Sequence, residues 1–510
     1  MTLSAKHTAN GKSDISNQMM KDKTLNHLFF FIGFLALVFY YGLIHPLVPF
    51  DTDDWMNMTI SRPLYPSLHC WNPTKVFPER LEPAVAMIAA RFIAPVIGDY
   101  VNALILANAV VLSFFITIYL FLVQRLLTDR FHLSLPSSFC FIVFFAILHF
   151  LALKTKVKDN DYLWYAEDCN CYYHYIISNL LNASLVLWLM RHDAPLKIKG
   201  WRFIVLVIAT YFALCSNLYS TIILISYAGA SLLFDLIVCK KKEDRWLVTY
   251  VHQHAYFLIV LLLWLVVQLI EVNGNRANAY GHVNDSLIEY LLLTIRCLFK
   301  VRFNIGVIAF LMLALLGAKI LYTLSGHHRI LHIGKRPTVI LLAAILSLTY
   351  LILLSAKVKP ENILKGQIIF SWVFYILLLS IFGLSYLGSK IKSIRWLVPF
   401  AIILVAYNNR DVRTEFLGVQ CLWGTNEYEC IYTNRDIINQ VRYAEALGQN
   451  SVVIYVPKFD LKDNWPLAFD CGFAVGKTLR KHNVVRRHLK TSFELDEQPA
   501  MSVDMHFVPQ

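Results

Sequence analysis

The side chains best placed to do chemistry follow the first long apolar stretch of the chain. There Phe50-Asp51-Thr52-Asp53-Asp54-Trp55 sets carboxylates beside an aromatic ring. Acids held where an apolar segment ends are costly unless they are solvated or used. One of Asp51, Asp53 and Asp54 is suited to act as a general base on a hydroxyl. The Asp-x-Asp spacing of Asp51 and Asp53 also suits a hard divalent cation such as Mg2+ or Mn2+. The plainer alternative is a helix cap, in which Asp51 or Asp53 accepts from free amides. A cap needs a single carboxylate, and this run supplies three. They are the catalytic candidates.

Further along come candidates for holding a substrate. Phe77-Pro78-Glu79-Arg80-Leu81-Glu82-Pro83 puts Glu79 and Glu82 on one face of a helix, with Arg80 and Arg91 able to meet a phosphate or neutralise the acids. A surface helix with paired charges explains the same residues. Asp159-Asn160-Asp161, Glu167 and Asp168 run beside Trp164, Tyr165, Tyr172 and Tyr173. Aromatic faces cover sugar C–H surfaces while carboxylates accept hydroxyl protons, so this group suits a carbohydrate. An interfacial aromatic belt is the alternative. Cys169-Asn170-Cys171 with His174 has a spacing unusual for zinc. His282, with Arg276, Asp285 and Glu289, is a further candidate, and Lys357 and Lys359 offer two cations to a lipid-linked phosphate or to headgroups. No phosphate-binding P-loop, Rossmann glycine fingerprint, His-Glu-x-x-His or nucleophile elbow occurs.

The elements that must position these residues are membrane helices. Of 510 residues, 57% are hydrophobic and 16% charged, and the mean hydropathy is +0.52. Soluble domains carry about a quarter charged residues, so a soluble multidomain enzyme is excluded. The net charge of +13 lies in short basic runs between apolar segments. Such runs fit topology signals and membrane lipids, not nucleic acid, which needs basic stripes interleaved with exposed aromatics.

A window of about 20 apolar residues marks a span, and it yields about eleven of them. They are 27–44, 100–123, 136–153, 174–190, 201–215, 219–238, 253–270, 303–322, 338–355, 367–387 and 396–407. The fifth and sixth meet at Ser216-Asn217-Leu218, as a tight hairpin or one broken span. Lys and Arg favour the segments that lie inside when the N-terminus is inside, such as Lys240, Lys241, Lys242 and Arg245. This divides the chain into a polar cytoplasmic tail (1–26), a membrane module (27–407) with a long first outer loop (46–98), and an extracytoplasmic domain (408–510). In that last part, apolar residues Ile437, Ile438, Val441 and Ala444 space a helix over 435–447, with Asn434 as its cap. The run 451–457 reads as a buried strand closed by proline, and 476–481 as a second helix. The expected fold is an all-α polytopic membrane protein with a small C-terminal α/β domain.

An acidic Asp51-Thr52-Asp53-Asp54 run just after span one, amphipathic stretches to Gly98 and a polar C-terminal domain resemble the GT-C class of integral-membrane glycosyltransferases. The resemblance implies a polyprenyl-phosphate-linked sugar as donor, inversion at the anomeric carbon, and a glycan or glycolipid acceptor. It also implies an active site on the extracytoplasmic face of a bacterial cytoplasmic membrane, with Asp51, Asp53 or Asp54 matching the catalytic acid of the first loop. No Trp-Trp-Asp run of the oligosaccharyltransferase branch is present. The competing readings are a polysaccharide polymerase or ligase, which carries its largest outer loop late, and a transporter, which needs repeats and charged span interiors.

Overall fold

The computed structural model describes residues 3–65, 71–153, 162–166, 168–192, 195–239, 246–274, 286–324, 335–391, 393, 421–422, 425–459, 462–469 and 472–496. It is a helical polytopic membrane protein carrying a small α/β unit at its C-terminal end. The helices are α1 (Leu3–Phe39, running on through a π turn Tyr40–Ile44), α2 (Thr52–Asn57), α3 (Pro78–Ile88, continued by Ala89–Ile93 and Ala94–Ile97) and α4 (Tyr100–Phe131). Next come α5 (Leu135–Leu151), α6 (Ser178–Arg191), α7 (Trp201–Leu214), α8 (Leu218–Cys239) and α9 (Trp246–Val272). The module closes with α10 (Leu287–Lys300), α11 (Ile305–Leu324), α12 (Lys335–Val358) and α13 (Gly366–Lys390).

Among the described residues, 7 helices are long and apolar enough to cross a membrane: Met20–Ile44, Tyr100–Phe131, Leu218–Ile237, Trp246–Val272, Gly306–Leu324, Arg336–Val358 and Gly366–Lys390. Three other windows form shorter helices than expected. Windows 136–153 and 201–215 form α5 and α7, which are apolar but short, and 174–190 is split between a π turn (Tyr172–Ile177) and α6. Buried Asn179 and Asn182 tie α6 to its neighbours: Asn179 donates to Gln367 O, and Asn182 to Ala213 O and Ser216 Oγ as well as to Ser178 O of its own helix. The junction after α7 is a tight turn between separate helices, with Asn217 Oδ1 accepting from Tyr219 N at 2.8 Å. The last window, 396–407, lies outside the described residues. No helix is expected from the sequence where α10 stands.

Packing follows from side-chain size. α8 lies against α12, α12 against α13, α13 against α11, and α4 against both α1 and α6. Close approach of α13 to α5 needs Gly388, since a Cβ there would lie 2.7 Å from Phe141 Cζ. Gly98, in the left-handed region at φ 81°, turns the chain out of α3 so that Asp99 can cap α4 through Asn102 N at 2.8 Å.

The C-terminal unit begins with a short hairpin, β1 (Cys421–Leu422) and β2 (Thr425–Asn426), then α14 (Glu427–Ala446), β3 (Ser451–Val456), α15 (Phe473–Lys481) and β4 (Lys490–Leu495). β3 and β4 pair in parallel with Ser451 opposite Lys490, so α15 is their crossover. α14 starts earlier than expected, because Asn426 and Glu429 form a reciprocal capping box. Asn434 is not a cap; it is buried in mid-helix. β4 is not anticipated by the sequence pattern. Thr491 and Phe493 face inward while Lys490, Ser492 and Glu494 face outward, an alternation that its charged half conceals.

Candidate functional site

The acidic loop is built by mutual capping. After α1 the chain runs buried from His45 to Phe50 and reaches α2 in an extended conformation at Asp51. Asp51 Oδ1 accepts from Asp54 N at 2.8 Å, and Asp54 Oδ2 accepts from Phe50 N at 2.8 Å. Asp54 reaches further, to the helical turn Cys169–Cys171, where Asn170 N donates to Oδ1 at 2.6 Å and Cys169 N to Oδ2 at 3.4 Å. Asp168 caps that same turn through Cys171 N at 2.5 Å. Two loops more than a hundred residues apart are thus joined through carboxylates and helix N-termini.

Burial then separates the acids by role. Asp51 is 2% exposed and Asp54 is fully buried, whereas Asp53 on the same helical turn faces solvent. Burial pushes the Asp51 carboxyl well above the usual range, and Asp54 and Asp168 push it further. Burial and Asp168 also raise Asp54, opposed by its amide donors. Glu82 is held up by burial and then by Asp54, Asp168 and Glu79, and neither of its oxygens has a hydrogen-bond partner among the described residues. Asp53 is raised by partial burial and lowered by Lys75. A solvent-facing carboxylate whose basicity is raised in this way is suited to act as a general base.

The expected substrate contacts are corrected in part. Glu79 is buried and pairs with two cations, Arg62 Nε at 2.5 Å and Lys75 Nζ at 3.1 Å, which leaves one positive charge in excess. Glu82 is buried as well, so neither acid meets solvent; they share a buried face of α3. Arg80 donates to the Arg62 carbonyl. Arg62, Lys75 and Arg80 therefore form a cationic rim. Trp164, Tyr165, Tyr172 and Tyr173 are core residues, not a sugar platform: Trp164 stacks on His149 at 4.4 Å, and Tyr173 Oη donates to Asn108 Oδ1 at 2.7 Å. Lys357 and Lys359 are exposed around the C-terminal end of α12. Asp159, Asp161, Glu167 and His282 lie outside the described residues.

Asp51 and Asp53 are not arranged to share a metal. Asp51 points inward and Asp53 outward, and the Asp51 and Asp54 carboxylates already accept amide protons. Among the described residues no three His, Cys, Asp or Glu side chains converge as a metal-binding group. Burial and neighbouring acids push the Cys169 and Cys171 thiols up, away from the thiolate a metal would need.

The C-terminal unit grips the back of the same loop. Pro466 O accepts from Thr52 N at 3.0 Å, Asn434 Nδ2 donates to Pro49 O at 2.5 Å, and Thr478 Oγ1 donates to Trp55 O at 2.7 Å. Lys481 Nζ donates to Thr59 O at 2.6 Å, and Glu427 faces His45 at 3.6 Å. Asp168 belongs to the second acidic group read from sequence, whereas Lys75 and Lys365 are not among the site residues expected there. Lys365, whose charge is felt at Cys171, carries no signal beyond an interfacial cation. Set against known proteins, the chain matches no family model, no curated protein and no solved structure.

Proposed function

We propose that the chain is a membrane glycosyltransferase that moves a sugar from a polyprenyl-phosphate donor to a glycan or glycolipid acceptor. In this reading about eleven spans place the acidic loop and the C-terminal unit on the extracytoplasmic face of a bacterial cytoplasmic membrane. The observation that supports it best is Asp53: a solvent-facing carboxylate of raised basicity, close to the end of the first span and near Lys75. Asp53 takes the proton of the acceptor hydroxyl as its oxygen attacks the anomeric carbon. The bond from that carbon to the phosphate oxygen breaks, and the phosphate leaves with the electron pair. Arg62, Lys75 and Arg80 offset the charge that grows on it. Asp51 and Asp54 hold the turn that aims Asp53.

The test is to replace each acid by Asn in membranes and to measure sugar transfer alongside folded yield. Loss of a general base costs about a hundred- to ten-thousandfold in rate. Asp53→Asn is expected to show that loss at normal yield, whereas Asp54→Asn lowers the yield itself. Transfer by Asp53→Asn near the wild-type rate excludes the assignment.

A further inference from the structure

Between Phe473 and Phe493 the chain contains no Asp or Glu, yet Lys477, Arg480, Lys481, Arg486, Arg487 and Lys490 are all exposed there. The end of α15 meets the membrane module where the second span begins, because His482 Nδ1 and Tyr100 Oη lie 2.6 Å apart and Tyr100 is the first residue of α4. Arg91, on the continuation of α3, is close enough for its charge to act on His482. Partial burial and Lys477 push the Lys481 ammonium below its ordinary value, as expected for crowded like charges. Beside Arg91, the end of α3 and its continuation bare Ile88, Phe92 and Val96 at 51%, 71% and 84% exposure. An apolar stripe flanked by cations at the start of a span matches the headgroup zone of a bilayer.

We propose that this edge, formed jointly by Arg91 of the α3 continuation and by Lys477 and Arg480 of α15, binds the anionic phospholipid headgroups of the adjoining leaflet. Phe92 and Val96 enter the acyl boundary, and the cations take the phosphates. The C-terminal unit is thereby seated on the membrane independently of its grip on the acidic loop, and nothing in this depends on the sugar-transfer reading.

The experiment is hydrogen exchange on the full chain in nanodiscs of phosphatidylcholine and in nanodiscs of equimolar phosphatidylcholine and phosphatidylglycerol. A basic side chain near an anionic surface changes the binding equilibrium roughly fivefold. Amides of 477–490 are therefore expected to exchange at least about fivefold slower in the anionic discs, with the difference shrinking as salt rises. The difference is lost in the triple variant Arg91→Gln, Lys477→Gln, Arg480→Gln and kept in Arg91→Lys, Arg480→Lys. Unchanged exchange over 427–446 reports that each variant is folded. Equal exchange of the wild-type protein in the two lipids overturns the proposal, whatever the variants do. So does protection that persists in the triple Gln variant. Protection by a soluble acidic polysaccharide in the zwitterionic discs, with none from anionic lipid, also overturns it and assigns the patch to an acidic glycan.

Discussion

Glu82 is buried with both carboxylate oxygens unpartnered, so its charged form has nothing to replace lost water. In an unfolded chain it ionises near 4.5, and in the fold it keeps its proton well above that. Between those values the folded state binds the extra proton, and stability falls as pH rises. Glu82→Gln imitates the protonated acid. It is expected to melt higher than wild type in mildly alkaline buffer and to lose the downward slope; an unaltered slope in thermal melts would mean that Glu82 is ionised in the fold. At this scale the sequence is informative about residue types and silent about depth. The cap is one of two readings of the Asp run, and Asp51 indeed caps α2. The meeting of Glu82, Asp54 and Asp168 is not legible, because no spacing rule links loops that distant. Trp164 and Tyr173 mislead for the same reason: a buried aromatic and a sugar platform look alike in sequence.

The elements show how a polar C-terminal unit fixes a loop of the membrane module. Asn434, inside α14, carries the one side-chain bond given to Pro49 O among the described residues. Leaving a buried carbonyl without its donor costs about 1–3 kcal/mol. Asn434→Ala should lower the melting temperature accordingly and expose 46–58 to faster hydrogen exchange; unchanged exchange there would show that α14 does not hold the loop. His482 adds a pH dependence to the same joint. Burial lowers its pKa from 6.5 to about 4, so the folded state binds fewer protons than the unfolded state between those values. Stability is full above 6.5 and declines as pH falls towards about 4. Spin labels on α4 and α15 should report a widening distance over that window in wild type and none in His482→Gln; a distance that holds constant in wild type would remove His482 from the joint. The helix, strand and second helix of this unit are readable from apolar spacing. β4 is not, because its outward Lys490 and Glu494 mask the inward alternation, and α14 begins earlier because a capping box outranks the spacing of its later turns.

At the scale of the whole molecule, composition suffices to exclude a soluble enzyme, and the long apolar helices stand where the windows lie. The shorter elements do not read cleanly: α5 and α6 gain their burial from neighbours while α7 stays largely exposed, and buried Asn179 and Asn182 break the apolar run of α6. If the C-terminal unit lies outside, a reporter fused after Gln510 that works only when exported will be active, and one that works only in the cytosol will be silent. The reverse pattern would move the acidic loop to the inner face and separate it from an outward-facing donor. The most direct measurement takes the purified full chain in proteoliposomes with a panel of hexosyl and pentosyl polyprenyl phosphates and a glycan acceptor mixture. Our account predicts that free polyprenyl phosphate accumulates with at least one donor, only when acceptor is present and with one sugar added to acceptor per phosphate released. Failure to release polyprenyl phosphate from any donor in the panel, by protein that is folded by its melting transition, would contradict it.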